Sequence, residues 1–188
     1  AFVTGGDPDI ETTEALIPQM AAAGADLIEI GIPFSDPIAE GVVIQAADER
    51  ALKAGVTTDK LFDMVKRVRG TVDVPLVFMT YMNPVYTYGT DRFVKRCAEC
   101  GIDGIIVPDV PFEEKEEISG ACVASGIELI SMIAPTSNER IEMIAGQAKG
   151  FLYCVSSLGV TGIRSSITTN IKEMIDHVKK VSDIPCAV

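Results

Sequence analysis

Residues 24–37 read Gly24-Ala25-Asp26-Leu27-Ile28-Glu29-Ile30-Gly31-Ile32-Pro33-Phe34-Ser35-Asp36-Pro37. Gly24 stops a run with helical spacing, Glu11 to Ala23. The apolar run Asp26 to Gly31 follows at once. A loop rich in proline comes next, and helical spacing resumes from Ile44 to Ala54, ended by Gly55. Helix, apolar strand, loop and helix in succession form the unit of a parallel α/β sheet. A strand buried on both faces is apolar throughout instead of alternating.

The unit repeats in both directions. Upstream, Phe2-Val3-Thr4 reads as a strand ended by Gly5-Gly6-Asp7-Pro8. Downstream, Thr57-Thr58-Asp59 offers N-cap chemistry to a helix from Lys60 to Arg69. Further strands are predicted at Pro75–Tyr81, Gly104–Val107, Ile127–Ala134, Phe151–Ser156 and Ile184–Val188. Helices are predicted at Thr90–Cys100, Phe112–Ser125, Asn138–Ala148 and Asn170–Val181. Strict alternation implies parallel strands joined by right-handed crossovers.

Two architectures fit such a pattern, an open doubly wound sheet and a closed barrel. The dinucleotide-binding form of the first carries G-x-G-x-x-G after its first strand, and Gly5-Gly6-Asp7-Pro8 lacks it. The expected fold is therefore α/β, a TIM (β/α)8 barrel, truncated, with strands 1 to about 7 present. One partial barrel domain spans residues 1–188. A whole barrel takes about 250 residues. Both ends read as cut, at Ala1 and at Ile184-Pro185-Cys186-Ala187-Val188. Without the closing strands and their phosphate donors, residues 1–188 alone are expected to fold poorly and not to turn over substrate.

Composition narrows the function. The 188 residues are 47% hydrophobic and 23% charged, with a net charge of −11. Nucleic-acid backbones call for a basic face, so no nucleic-acid partner is expected. No apolar run approaches the roughly 20 residues of a membrane helix, and no signal peptide is visible. Five cysteines, an odd number, suit a reducing cytoplasm. Cys97 and Cys100 form C-x-x-C, but late in an amphipathic helix and without a second pair, so no metal site is expected. His177 is alone of its kind and sits in a Lys-rich helix end, where it reads as a solvated residue. Acid–base chemistry in this chain falls to carboxylates.

Barrel sites lie at the C-terminal ends of the strands. Glu29 is a charge inside an apolar strand, and burial raises a carboxyl pKa toward the range useful to a general acid or base. The loop after it carries Asp36 and Glu40, which on their own read as ordinary loop acids. Asp109, between two prolines, reads equally as a turn former or as a functional group. Leu158-Gly159-Val160-Thr161-Gly162 has the glycines of a phosphate nest, a weak signal alone.

These residues resemble the tryptophan synthase α-subunit family. The likeness runs from Phe2-Val3-Thr4-Gly5-Gly6-Asp7-Pro8 through Gly24–Pro37 to Gly159-Val160-Thr161-Gly162, and the block Glu29–Pro37 is its most specific part. The resemblance implies a barrel that cleaves indole-3-glycerol phosphate to indole and glyceraldehyde 3-phosphate, without a cofactor of its own. It implies a β-subunit partner, in an α2β2 heterotetramer, that carries pyridoxal phosphate (PLP) and receives the indole. Glu29 falls on the family's catalytic glutamate. Glu40 falls where the family has a catalytic Asp, and Val42 replaces a common Pro. Phe2, Met79, Tyr81, Ile106 and Tyr153 fall on the indole pocket. Thr161 and Gly162 fall on the loop that closes over the phosphate. Asp36, Pro37 and Asn83 fall on the surface that meets the β subunit. The alternative that Glu40 raises is a catalytically weakened α-like chain that regulates the β subunit.

Overall fold

The computed structural model describes residues 1–156, 162 and 170–188. The first five strands are β1 (Phe2–Thr4), β2 (Ile28–Gly31), β3 (Leu76–Met79), β4 (Gly104–Ile106) and β5 (Glu128–Leu129). They pair in that order, all parallel. A second parallel sheet holds β6 (Ser131–Ile133), β7 (Leu152–Cys154) and β8 (Cys186–Ala187). The helices between them are α1 (Ile10–Ala22), α2 (Val42–Lys53), α3 (Thr58–Val68), α4 (Met82–Tyr88), α5 (Thr90–Cys100), α6 (Glu116–Ser125), α7 (Asn138–Ala145) and α8 (Ile171–Val178).

The fifth predicted strand, Ile127–Ala134, is two strands. Its backbone changes neighbours at Ile130. The Ile130 N–H still donates to Ile105 O, at 2.9 Å, whereas Ser131 is already in register with Leu152. Helix α4 falls in the stretch between Tyr81 and Thr90 for which no element was expected. Pro84 lies in the first turn, where a helix N–H has no intrahelical partner to lose.

The β alternation sorts the core into two layers. Ile28, Ile30, Leu76, Phe78 and Ile105 face outward and pack with Leu61, Phe62, Val65 and Phe93 of the helices. Helix α3 shows how the sequence builds this layer: Leu61, Phe62, Met64, Val65 and Val68 form one buried stripe, and the Thr57 side chain caps its start. The opposite faces of the strands supply an inner cluster, in which Val77, Ile106 and Ile130 pack with Met79, Met132, Phe151 and Tyr153. Two layers of this kind are what a strand row curling toward a barrel buries, one inside the row and one under its helices.

Two surface readings resolve structurally. His177 is not a solvated residue. Its side chain is half-buried between α7 and α8, with Nδ1 2.7 Å from Glu142 Oε1. Hydrogen bonding to His177 is the main cause that holds the Glu142 carboxyl below its ordinary range. Cys97 and Cys100 are both buried free thiols, and burial pushes Cys100 up to about 11 and Cys97 higher still. Such thiols are inert packing groups.

Candidate active site

Glu29 lies between Ile28 and Ile30, so alternation turns it to the inner face. In register it stands beside Phe2 on β1 and Val77 on β3. Its burial raises its carboxyl above the ordinary range. Among the described residues no hydrogen bond to its carboxylate offsets that cost. Glu29 also borders a cavity of about 560 Å³ that runs toward the N-terminal ends of the strands, between Ala1, residues 24–27, Phe151 and residues 185–188. The Phe2 ring lies across Gly31, where a Cβ would stand 2.7 Å from its Cζ. Only glycine admits that approach.

Glu40 comes from the loop between β2 and α2, and it is 6% exposed. Tyr81 holds it. The phenol donates to Glu40 Oε1 at 3.3 Å and accepts the Ala39 N–H at 3.0 Å. Gln45, in the first turn of α2, donates from Nε2 to the Glu40 carbonyl at 2.7 Å. The loop thus brings a buried carboxylate to the ends of the strands, and the longer side chain of Glu is accommodated there with a hydroxyl on it.

Tyr153 lines the same cavity as Glu29. Burial raises its phenol, and the charges of Glu29 and then Glu40 raise it further. Met79 and Ile106 belong to the same cluster as Tyr153. Of the expected pocket residues, Phe2 and Tyr153 line one cavity with Glu29, Met79 and Ile106 pack with Tyr153 in the inner cluster, and Tyr81 is bonded to Glu40. Thr161 lies outside the described residues. Gly162 is described and exposed.

The loop face is apolar where it meets solvent. Ile38, Val42 and Val43 are 75%, 79% and 67% exposed, next to Asp36 and Pro37. Tyr86 of α4, three residues after exposed Asn83, is also exposed. Asp109 resolves to a structural role, with both carboxylate oxygens accepting the Met82 N–H, at 2.9 and 3.2 Å, at the start of α4. Sequence reasoning missed Asp48 altogether. It sits on α2 with Ala47 and Ala51 in the buried stripe, and it is 6% exposed. Its only signal was an acid in register with small apolar residues at helical spacing.

A second cavity, about 590 Å³, lies against α6 and the strand break at Ile130 and contains neither Glu29 nor Glu40. Among the described residues no group of three His, Cys, Asp or Glu side chains could hold a metal ion, and no helix is long and apolar enough to cross a membrane.

The model of the family described as tryptophan synthase alpha chain matches residues 1–188. The tryptophan synthase alpha chain of Halalkalibacterium halodurans is 48% identical over 188 residues, which are all of this chain and 71% of that one. The solved structure of the tryptophan synthase a2b2 complex from the hyperthermophile Pyrococcus furiosus matches with a TM-score of 0.89 and 37% identity, over all of this chain and 75% of that one. Tryptophan synthase subunit alpha from Legionella pneumophila matches with a TM-score of 0.85 and 38% identity, over 98% of this chain and 69% of that one. With a family model along its whole length, and with solved relatives that share its barrel strands, the chain belongs to the tryptophan synthase alpha chain family.

Proposed function

We propose that Glu29 and Glu40 are the two carboxylates that carry out the chain's lyase reaction, the cleavage of indole-3-glycerol phosphate to indole and glyceraldehyde 3-phosphate. The reaction breaks the bond between indole C3 and the glycerol chain. The electrons of the glycerol O–H become the new carbonyl, and its proton is balanced by the proton that indole C3 gains. No atom is added or lost overall, so one group that accepts and returns a proton suffices. Glu29 is that group. A carboxyl raised by burial gives up and takes back a proton at a smaller cost near neutral pH than an exposed one. Glu40 accepts the indole N–H as positive charge develops on the ring, and Tyr81 holds it in place.

The observation that carries this reading is a pair of buried carboxylates on one strand and the loop that follows it, Glu29 on the inner face of β2 and Glu40 held by the Tyr81 hydroxyl. Phe2, Met79, Ile106 and Tyr153 are the walls for the indole ring. Thr161 and Gly162 close over the phosphate in the same reading. The chemistry runs on protein carboxylates, with PLP confined to the β subunit.

The partner surface is the loop Asp36–Pro37 with Asn83 of α4. Exposed Ile38, Val42, Val43 and Tyr86 around it give the apolar contact that a lasting α2β2 interface needs. A site in the cytoplasm, beside the β subunit, accords with this. The weakened-partner alternative is disfavoured, because Glu40 is buried and hydrogen-bonded by Tyr81 in spite of its extra methylene.

The experiment is release of indole from indole-3-glycerol phosphate by the full-length protein, with and without a β subunit, beside its Glu29→Gln and Glu40→Ala variants. Loss of indole in both variants supports the assignment. Full activity in either removes that residue from it.

A further inference from the structure

Gly41 stands between Glu40 and helix α2, and Gln45 holds the peptide groups on both sides of it. The backbone N–H of Gln45 donates to the Gly41 carbonyl at 3.0 Å, the bond that opens the helix. Its side chain reaches one residue further back, where Nε2 donates to the Glu40 carbonyl at 2.7 Å. These two carbonyls belong to the peptide planes that flank the Gly41 Cα, and φ and ψ of Gly41 set how the planes lie to one another. Glycine has the widest choice of those angles. Gly41 also has no side chain with which to cap α2. Where the chain is freest to turn, Gln45 fixes the turn, at −80° and 171°.

The four bonds around Glu40 divide the work. Gln45 holds the backbone after it through two of them. Tyr81 holds the Ala39 N–H before it at 3.0 Å and the Glu40 carboxylate at 3.3 Å. The bond to the carboxylate is the longest of the four, so the place of the carboxylate depends on how the backbone beneath it is held. Gln45 is itself exposed. Water would satisfy the Glu40 carbonyl there without ordering a long side chain, so solvation alone does not account for the bond.

We propose that Gln45 is a positioning residue for Glu40: by pinning both peptides about Gly41 it sets the direction from which the Glu40 carboxylate meets the indole N–H. This rests on the reading of Glu40 as the second catalytic carboxylate.

The test reads kcat and KM for indole-3-glycerol phosphate, with the melting temperature, in the full-length protein, free and with saturating β subunit. Gln45→Met keeps the length of the side chain and removes its donor. It is expected to lower kcat by about 2- to 13-fold, the scale of one hydrogen bond, with KM changed less than about twofold. Gln45→Lys returns a donor within reach of the carbonyl and is expected to recover most of that loss. A purely structural Gln45 would shift the melting temperature and leave kcat unchanged well below it. Native kcat in Gln45→Met overturns the proposal. So does a Gln45→Lys protein as slow as Gln45→Met, since the role belongs to the donated bond. Val42 and Val43 in the same turn are exposed, so the free protein controls for contact with the β subunit. A loss confined to the complex would trace to that contact and overturn the proposal as well. Glu40→Ala runs alongside. Inactive Glu40→Ala with native kcat in Gln45→Met removes the positioning role alone, whereas active Glu40→Ala removes the assignment of Glu40 on which it rests.

Discussion

The Tyr81 hydroxyl bonds Glu40 and Ala39 together, donating to the Glu40 carboxylate at 3.3 Å and accepting the Ala39 N–H at 3.0 Å. One phenol thus fixes both the backbone of the loop and its acid. The donated bond is long for O–H···O, and such contacts tighten when a reacting group draws charge onto the acceptor. A single net hydrogen bond contributes about 0.5–1.5 kcal/mol, so Tyr81→Phe is expected to reduce kcat by about 2- to 13-fold while KM stays nearly constant. Steady-state kinetics of indole formation checks this. An unchanged kcat would mean that the loop holds Glu40 without the phenol.

Glu29 governs the acidic side of the pH profile. Burial raises its carboxyl, and the proposed base works in its ionised form. Activity therefore falls as pH drops through the folded value, and that limb lies above the ordinary carboxylate range. Glu29→Gln removes the proton acceptor and is expected to cost about 100- to 10,000-fold in kcat. A pH series of kcat/KM locates the limb. A limb at the position of an exposed carboxylate would contradict the effect of burial.

The alternation of apolar strands and amphipathic helices was plain in the sequence because burial on both strand faces leaves no polar residue to blur it. Glu29 stood out for the same reason, as a charge where the pattern permits none. Other features depended on partners far along the chain. The acceptor for the Met82 N–H is Asp109, 27 residues away, so nothing local marked the start of α4. The break at Ile130 arises from a change of strand neighbours, which no local pattern encodes. His177 and Glu142 meet across 35 residues of chain. Asp48 looked like one more polar residue of a helix, and its burial is set by packing that its own sequence neighbourhood does not show.

Asp109 links the loop after β4 to the start of α4, the helix that carries Asn83 and Tyr86. Asp109→Ala leaves the Met82 N–H without its acceptor, a loss comparable to that of a helix cap, about 0.5–2 kcal/mol. For a chain of this size that corresponds to a fall in Tm of about 1–8 °C. The same variant is expected to need more β subunit for full activation, since α4 forms part of the proposed interface. Asp109→Asn retains an acceptor and should recover most of both losses. Thermal melts and a titration with the β subunit measure them. Native values in the Ala variant would show that α4 stands without this bond.

Asp48 also links stability to pH, with a definite sign. Its carboxyl moves from an ordinary 3.8 to about 7 in the folded protein. Between those values the native state binds the proton that the unfolded chain has released, so stability declines as pH rises through the window. Above about 7 the buried anion exerts its full cost. One pKa unit corresponds to about 1.4 kcal/mol, and solvent at the cluster's edge reduces the sum, which leaves about 1–4 kcal/mol. Asn has the shape of the neutral acid and no charge to desolvate. Asp48→Asn is therefore expected to melt close to the native protein at pH 5 and above it at pH 8, by about 2–16 °C for a gain of that size. The comparison must be made at both values. A gap of equal size at pH 5 and pH 8 would show that the carboxyl does not titrate between them, and that burial does not set its charge.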